Sequence, residues 1–202
     1  MKIPNCISLE QEGQYCISCS ANAVERIFKE ARTYYRCAVC GAISDRSLVI
    51  DGSINWWVDT ERTYWHESAG VIVVDDAQRI LCMFRKIFPF AYTIPAGHVD
   101  KGEHAKSAAR RELMEETGID LDAFAPLESV ANVDIATDPC RRGADHHRWH
   151  LFRYKIGIAP TIALSDEVES VRWCTISELQ TMTSLTLPLQ LFVKEFGSKL
   201  VE

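Results

Sequence analysis

No apolar run in this chain approaches the length of a membrane span, and the opening residues, MKIPNCISLE, lack the apolar core of a secretion signal. Those absences argue against a helical membrane protein and lead to the expectation of a cytoplasmic one. Tandem repeats and low-complexity segments are missing too, which excludes a solenoid or a compositionally biased tail. Glycine and proline are scarce, 10 and 7 of 202 residues, so the chain is neither fibrous nor built of long linkers. Positive charge is short as well. Lys and Arg number 22 against 28 Asp and Glu, a formal net charge of −6, which argues against nucleic acid or anionic lipid as partner because such binding rests on phosphate neutralisation. What is left, 47% hydrophobic and 25% charged, is a globular composition sufficient for one ordinary domain and a small one.

Cysteine is not scarce: there are eight. In a cytoplasmic chain that number points to metal binding rather than to disulfides. Cys16, Cys19, Cys37 and Cys40 form a C-x2-C pair, seventeen residues, and a second C-x2-C pair. Each pair lets two thiolates of one tight turn reach the same ion, and Zn²⁺ takes four in a closed tetrahedron. A closed thiolate shell leaves no open position, so the expected zinc is structural. The plainer alternative is four buried thiols or a redox pair. Cys6, Cys82, Cys140 and Cys174 lack such spacing and read as ordinary thiols.

Residues 1–60 are expected to form the zinc-ribbon-like module and 61–202 the main domain. Between the cysteine pairs Val24, Ile27, Phe28 and Ala31 have helical spacing, whereas Thr33, Tyr34 and Tyr35 favour strand, so at most a short helix is expected there. Leu48–Ile50, the Asp51-Gly52 turn and Trp56–Val58 read as a hairpin. The boundary falls at Asp59–Arg62, and no flexible linker follows, so the two parts should pack together. Strands are expected at 68–74, 79–84, 129–135, 149–158 and 168–174, a short helix near 177–180 and a closing helix over 189–200. One helix flanked by strands on both sides implies an α/β sandwich around a mixed sheet.

That helix carries the chemistry. Residues 97–119 read GHVDKGEHAKSAARRELMEETGI. Glu112, Glu115 and Glu116 stand at i, i+3 and i+4, which places three carboxylates on one helix face. Like charges so crowded call for a neutraliser, and a hard divalent cation that takes oxygen ligands is suited to the task. Ala105, Ala109 and Leu113 form a small apolar row able to lie close to a sheet, and Gly118 supplies the C-terminal stop. The plainer alternative is a surface helix whose glutamates pair with Arg110 or Arg111. The flanking residues decide between them. Gly97, Glu103, Arg111, Glu112, Leu113, Glu115, Glu116, Gly118 and Ile119 fill every specified position of Gly, five residues, Glu, seven residues, Arg-Glu-apolar-x-Glu-Glu-x-Gly-apolar. The stretch closely resembles the signature of the Nudix family.

The resemblance implies a Nudix-like α/β/α sandwich and hydrolysis of a nucleoside diphosphate linked to another group, such as a nucleotide sugar or a dinucleotide, with Mg²⁺ or Mn²⁺. It implies that Glu112, Glu115, Glu116 and the Gly97 carbonyl hold the metal, and that Glu103 and Arg111 orient them. A further base or ligand is needed. Glu167, in SDEVESVRW, matches a glutamate often found there in the family, with Glu169 as the competing choice. The aromatics Phe88, Phe90 and Tyr92 are read as packing rather than as a base-stacking platform. The stretch RRGADHHRWH offers Arg141, Arg142, His146, His147, Arg148 and His150, either to a phosphate arm or to solvent; a second zinc site there is not expected.

A zinc ribbon ahead of this domain is similar to the arrangement in NADH pyrophosphatases, but their Ser-Gln-Pro-Trp-Pro-Phe-Pro stretch is replaced here by LESVANVDIAT. The proline typical of ADP-ribose pyrophosphatases and the tyrosine of dinucleoside polyphosphate hydrolases are absent from the corresponding place near Ile135. The expected partner is therefore a small nucleotide of unspecified kind. A regulatory module that senses a nucleotide, with a ribbon for protein or nucleic acid, is the competing function; the complete glutamate set favours an enzyme. Trp56, Trp57 and Trp65 gather near the boundary, where they serve either to join the two parts or to form a homodimer contact.

Overall fold

The computed structural model describes residues 1–202 apart from 31, 123 and 124. Its N-terminal region holds β1 (Gly13–Tyr15), β2 (Val24–Lys29), β3 (Arg32–Cys37), β4 (Ile43–Ser44) and β5 (Leu48–Ile50). β6 (Trp56–Val58), β7 (Tyr64–Val74), β8 (Ile80–Arg85), β9 (Tyr92–Thr93) and β10 (Ala96–His98) lead into helix α1 (Ala105–Thr117). After it come β11 (Glu128–Ala136), β12 (His146–Lys155), β13 (Val168–Cys174), α2 (Ile176–Thr181), α3 (Leu187–Phe196) and a 3₁₀ turn at Gly197–Leu200.

The main sheet is organised on β7. Its sequence, YWHESAGVIVV, alternates buried and half-buried side chains over the first four residues and is buried without interruption over the last seven. A strand covered on both faces has that second pattern, because neither face meets water. β12 runs parallel beside it, and the strand order is β11-β12-β7-β8-β13, with β6 and β10 also on β7 and β9 on β8. The sheet is therefore mixed. Ala69, Val71 and Val73 point to one side, where Ala108, Ala109 and Leu113 of α1 pack on them. Two alanines at the contact allow the helix to lie close to the strand. Ile72 and Val74 point to the other side, against Leu189, Phe192 and Val193 of α3. Helix, sheet and helix make the sandwich implied by the sequence.

Corrections to the sequence reading concentrate in the N-terminal region. The stretch with helical spacing is instead the hairpin β2/β3, in register from Val24↔Cys37 to Lys29↔Arg32; Ala31 lies outside the described residues. The periodicity misled because Phe28 belongs to no core: it is exposed, with the Arg26 guanidinium 5.4 Å from its ring. Leu48–Ile50 and Trp56–Val58 do not pair with each other. β5 pairs with β1, and β6 joins the main sheet at Trp56↔His66, Trp57↔Trp65 and Val58↔Tyr64. Residues Asp59 and Arg62 therefore belong to a hairpin turn, closed where the Asp59 carboxylate accepts from Glu61 N and Thr63 N at 2.9 Å each. β7 and β12 also begin earlier than expected, at Tyr64 and His146, since each continues the other's ladder (His146↔Trp65). The closing helix stops at Phe196, where Gly197 takes a left-handed φ of 50° and a 3₁₀ turn follows.

Ile3, Ile7, Tyr15, Leu48, Ile50, Tyr64 and Ala144 form a third core cluster that spans the seam between the N-terminal strands and the main sheet. Trp57 stacks on Trp65 at 5.8 Å and Trp56 meets Tyr64 edge-on at 5.6 Å, contacts between the neighbouring strands β6 and β7. At the seam Ser47 N donates to Arg141 O (3.1 Å) and Val49 N to Arg142 O (3.0 Å). Gly143 turns beside these bonds with φ +93°, and a Cβ there would lie 2.7 Å from Leu48 Cα. Both the backbone angle and the contact forbid a side chain. Gly143→Ala should therefore lower stability by about 1–3 kcal/mol, measured as a reduced urea midpoint of the full chain with unchanged slope.

Candidate active site

Helix α1 sets the acidic face. Gly118, with φ 72°, ends it by donating N–H to Met114 O. Glu112 lies over Gly97, and a Cβ on that residue would fall 2.1 Å from the Glu112 carboxylate. The missing side chain thus makes a cradle in which backbone and carboxylate share one small space. Glu116 is buried, and its Oε2 accepts from Ala96 N at 2.8 Å. Glu115 has a 58% exposed side chain and faces the opening.

Arg111 holds the group together. Its Nη1 contacts Glu112 Oε1 at 2.7 Å and Glu115 Oε2 at 3.4 Å, while Nη2 donates to Glu103 Oε2 at 2.9 Å and to His98 O at 3.0 Å. Burial pushes Glu103 up, but the Arg111 hydrogen bond, the Asp100 N–H and the Arg111 charge together outweigh it and hold the carboxyl below the usual range. Arg110 takes no part and donates to Asp122 O and Ala125 O instead.

These residues border a cavity of about 390 Å³. Gly97, Glu112, Glu115 and Glu116 line one side, and Arg85, Arg141, Arg142 and Glu167 also face it. Glu167 is half-exposed and paired with Arg141 at 2.9 Å, whereas Glu169 is exposed and not among the lining residues. A register shift between Val168 and Ser170 separates the two glutamates. Phe88 lines the cavity; Phe90 packs under Arg32 (4.5 Å) and against Tyr34, and Tyr92 meets Phe84 edge-on. Of the six basic residues proposed for phosphate, Arg141, Arg142 and His147 reach the cavity wall. Arg148 pairs with Asp134, His150 with Glu67, and His146 packs on Trp65.

The four spaced cysteines come together as a zinc site would require. Their sulfurs all lie within 4.8 Å, with Cys16–Cys40 and Cys19–Cys37 each at 3.7 Å. Two sulfurs on one tetrahedral zinc stand about 3.8 Å apart. The two turns repeat one geometry: Cys16 O accepts from Ser20 N and Cys37 O from Gly41 N, with Ser20 and Gly41 both left-handed. Burial pushes the Cys16 thiol up, but the N–H groups of Ser18 and Cys19 outweigh it and bring it down to about 7.

The sequence reading missed Arg85, Asp138 and a second cluster beneath the cavity, His66, His98, Cys140 and His147. No local spacing announces it, because β-ladder register assembles it: His147 sits directly opposite His66 on β7. Cys140 is therefore not an isolated thiol, and the histidine-rich segment is partly strand rather than loop.

Burial dominates Glu116 and raises its carboxyl to about 8, against the opposing pull of Arg85 and the Ala96 N–H. The folded value lies above the ordinary 4.5, so the neutral acid stabilises the fold at low pH, and that contribution disappears as pH rises through 8. Without divalent cations, the wild type should lose stability between pH 5 and 9 and Glu116→Gln should lose less. Thermal melts in chelator across that range check it; parallel curves for the two proteins would remove the assigned burial cost.

A family model described as NUDIX domain matches residues 64–196. A Bacillus subtilis protein named "Putative 8-oxo-dGTP diphosphatase" is 48% identical over 61 residues, which cover 30% of this chain and 40% of that protein. The chain thus spans well under two thirds of that curated relative. Among solved structures, a MutT protein from Methanosarcina mazei superposes with a TM-score of 0.55 at 18% identity, covering 67% of this chain and 94% of that one. A Caenorhabditis elegans Ap4A hydrolase superposes with a TM-score of 0.54 at 20% identity, covering 67% and 97%. At such identities the likeness establishes the fold.

Proposed function

The chain belongs to the Nudix family, and we propose that it is a metal-dependent pyrophosphohydrolase cleaving a nucleoside diphosphate linked to another group. The observation that carries the reading is the cradle between Gly97 and Glu112, beside the buried Glu116 and at the edge of the cavity. Its donor set is all oxygen, which suits Mg²⁺ or Mn²⁺. Glu112, Glu115, Glu116 and the Gly97 carbonyl would hold the ion. What that ion supplies is neutralisation across the pyrophosphate and a lowered pKa for the attacking water.

The chain's own residues do the rest. Arg111, fixed by Glu103 and the His98 carbonyl, orients Glu112 and Glu115. Arg141 and Arg142 offer guanidinium groups to the phosphate oxygens at the cavity wall. Glu167 accepts the proton of the attacking water; its place on the wall favours it over the exposed Glu169. Residues 1–60 serve as a zinc-ribbon-like module and 61–202 as the hydrolase domain, with structural zinc on Cys16, Cys19, Cys37 and Cys40. The module supports the site: Ser47 and Val49 hold the backbone of Arg141 and Arg142, Asp51 holds the Arg142 side chain, and Ile54 lines the cavity. A nucleotide-sensing role receives no comparable support from the geometry.

A screen of nucleotide sugars, dinucleotides, NADH, ADP-ribose and nucleoside triphosphates with Mg²⁺ or Mn²⁺ should reveal turnover. Glu115→Gln and Glu167→Gln should each lower kcat about 10²-fold or more on the best substrate, with the fold retained by circular dichroism. Wild-type rates in Glu115→Gln would sink the metal role. Cys16→Ser should remove one zinc equivalent from tag-free protein, measured by elemental analysis, and loosen the N-terminal region to proteolysis.

A further inference from the structure

Four ligand-capable side chains meet beneath the cavity from four separate parts of the chain. His66 lies on β7, His98 ends β10, Cys140 sits in the segment before β12, and His147 is on β12. One ligand atom from each falls within 4.8 Å of all the others, and no carboxylate belongs to the group. His66 Nδ1 is 3.0 Å from His98 Nε2 and 3.6 Å from Cys140 Sγ. A nitrogen and a sulfur on one tetrahedral zinc stand about 3.6 Å apart, and two nitrogens about 3.3 Å. The Cys140–His66 spacing matches, and the two histidines need part by only a few tenths of an ångström.

The cluster is enclosed: His66 is fully buried and His147 is 2% exposed. His66 turns Nδ1 towards His98 and Cys140, while its Nε2, on the far side of the ring, has no hydrogen-bond partner among the described residues. His147 Nδ1 faces Asp138 Oδ2 at 3.1 Å, and Asp138 is itself fixed by Trp149 Nε1 at 2.8 Å. A carboxylate behind one ring nitrogen, with the other turned towards its neighbours, is the arrangement that orients metal-bound histidines. An ion would engage the inward-facing atoms His66 Nδ1, His98 Nε2 and Cys140 Sγ, which converge on one small buried space.

We propose that His66, His98, Cys140 and His147 form a second metal site, binding one zinc ion in a closed three-nitrogen, one-sulfur shell. Imidazole and thiolate donors suit zinc and disfavour Mg²⁺, so this site is chemically distinct from the carboxylate face of α1. With four protein ligands it has no open position, and its role is positional. It ties the segment that carries Arg141 and Arg142 to the strand that carries Gly97.

Tag-free, full-length protein purified without chelator and supplied with zinc tests the assignment. Elemental analysis should give two zinc ions per chain, and zinc X-ray absorption should show a mixed sulfur and nitrogen shell. Cys140→Ala should retain one equivalent with an all-sulfur shell. One zinc with an all-sulfur shell in the wild type would overturn the proposal, as would no zinc or an undiminished content in Cys140→Ala. One zinc with a nitrogen-dominated shell would uphold this site and count against the four-cysteine one. Should Cys140→Ala fail to fold, the wild-type metal count and shell decide alone.

Discussion

Charge neutralisation on one face of α1 is the constraint around which the rest of the structure is arranged. Three glutamates within two turns repel one another, and Glu116 is buried besides. Arg111 relieves part of that repulsion, and it can do so only because Glu103 and the His98 carbonyl fix its guanidinium from the opposite side. The loop between β10 and α1 is thus bound to the helix by the same residue that balances the acidic face. The other requirement is proximity. Alanines at the helix–sheet contact and the absence of a side chain at Gly97 let carboxylates and backbone come together.

How much of this was legible depended on whether the information was local. The helix, its small apolar row, its Gly118 stop and its acidic face all lie within one stretch, and each follows from a spacing of three or four residues. The four cysteines were legible for the same reason, two turns each carrying a pair. Ala108 shows the limit of that resolution: it shares the buried face with Ala109 and Leu113, while Ala105 is only partly buried. What could not be read was anything fixed by strand register. Trp56–Val58 looked like the partner of Leu48–Ile50 because only a short turn separates them, yet β5 is occupied by β1 and β6 finds a longer surface on β7. His66 and His147 are 81 positions apart and face each other because β12 runs parallel to β7.

The N-terminal strands matter to the site through the 141–143 turn. Ser47 and Val49 donate backbone hydrogen bonds to Arg141 and Arg142, Asp51 pairs with the Arg142 side chain, and Gly143 fits under Leu48. One wall of the cavity is accordingly shaped from outside the family-matched segment. The arginines there have little freedom to relocate. That constraint separates them from Arg148 and His150, which neighbour them in sequence but pair with Asp134 and Glu67 across the sheet.

Donor chemistry keeps the candidate metal positions apart. The α1 face offers only oxygen, the N-terminal turns only sulfur, and the cluster under the cavity nitrogen with one sulfur. Hard cations that keep part of their water shell favour the first, whereas zinc favours the others because thiolate and imidazole replace its water completely. His98 stands next to Gly97 in the chain, so the oxygen face and the nitrogen cluster share one short strand. A shift in that strand moves both. The close approach that Gly97 permits on one side is therefore coupled to what His98 engages on the other, and the two adjacent residues of β10 cannot be tuned independently.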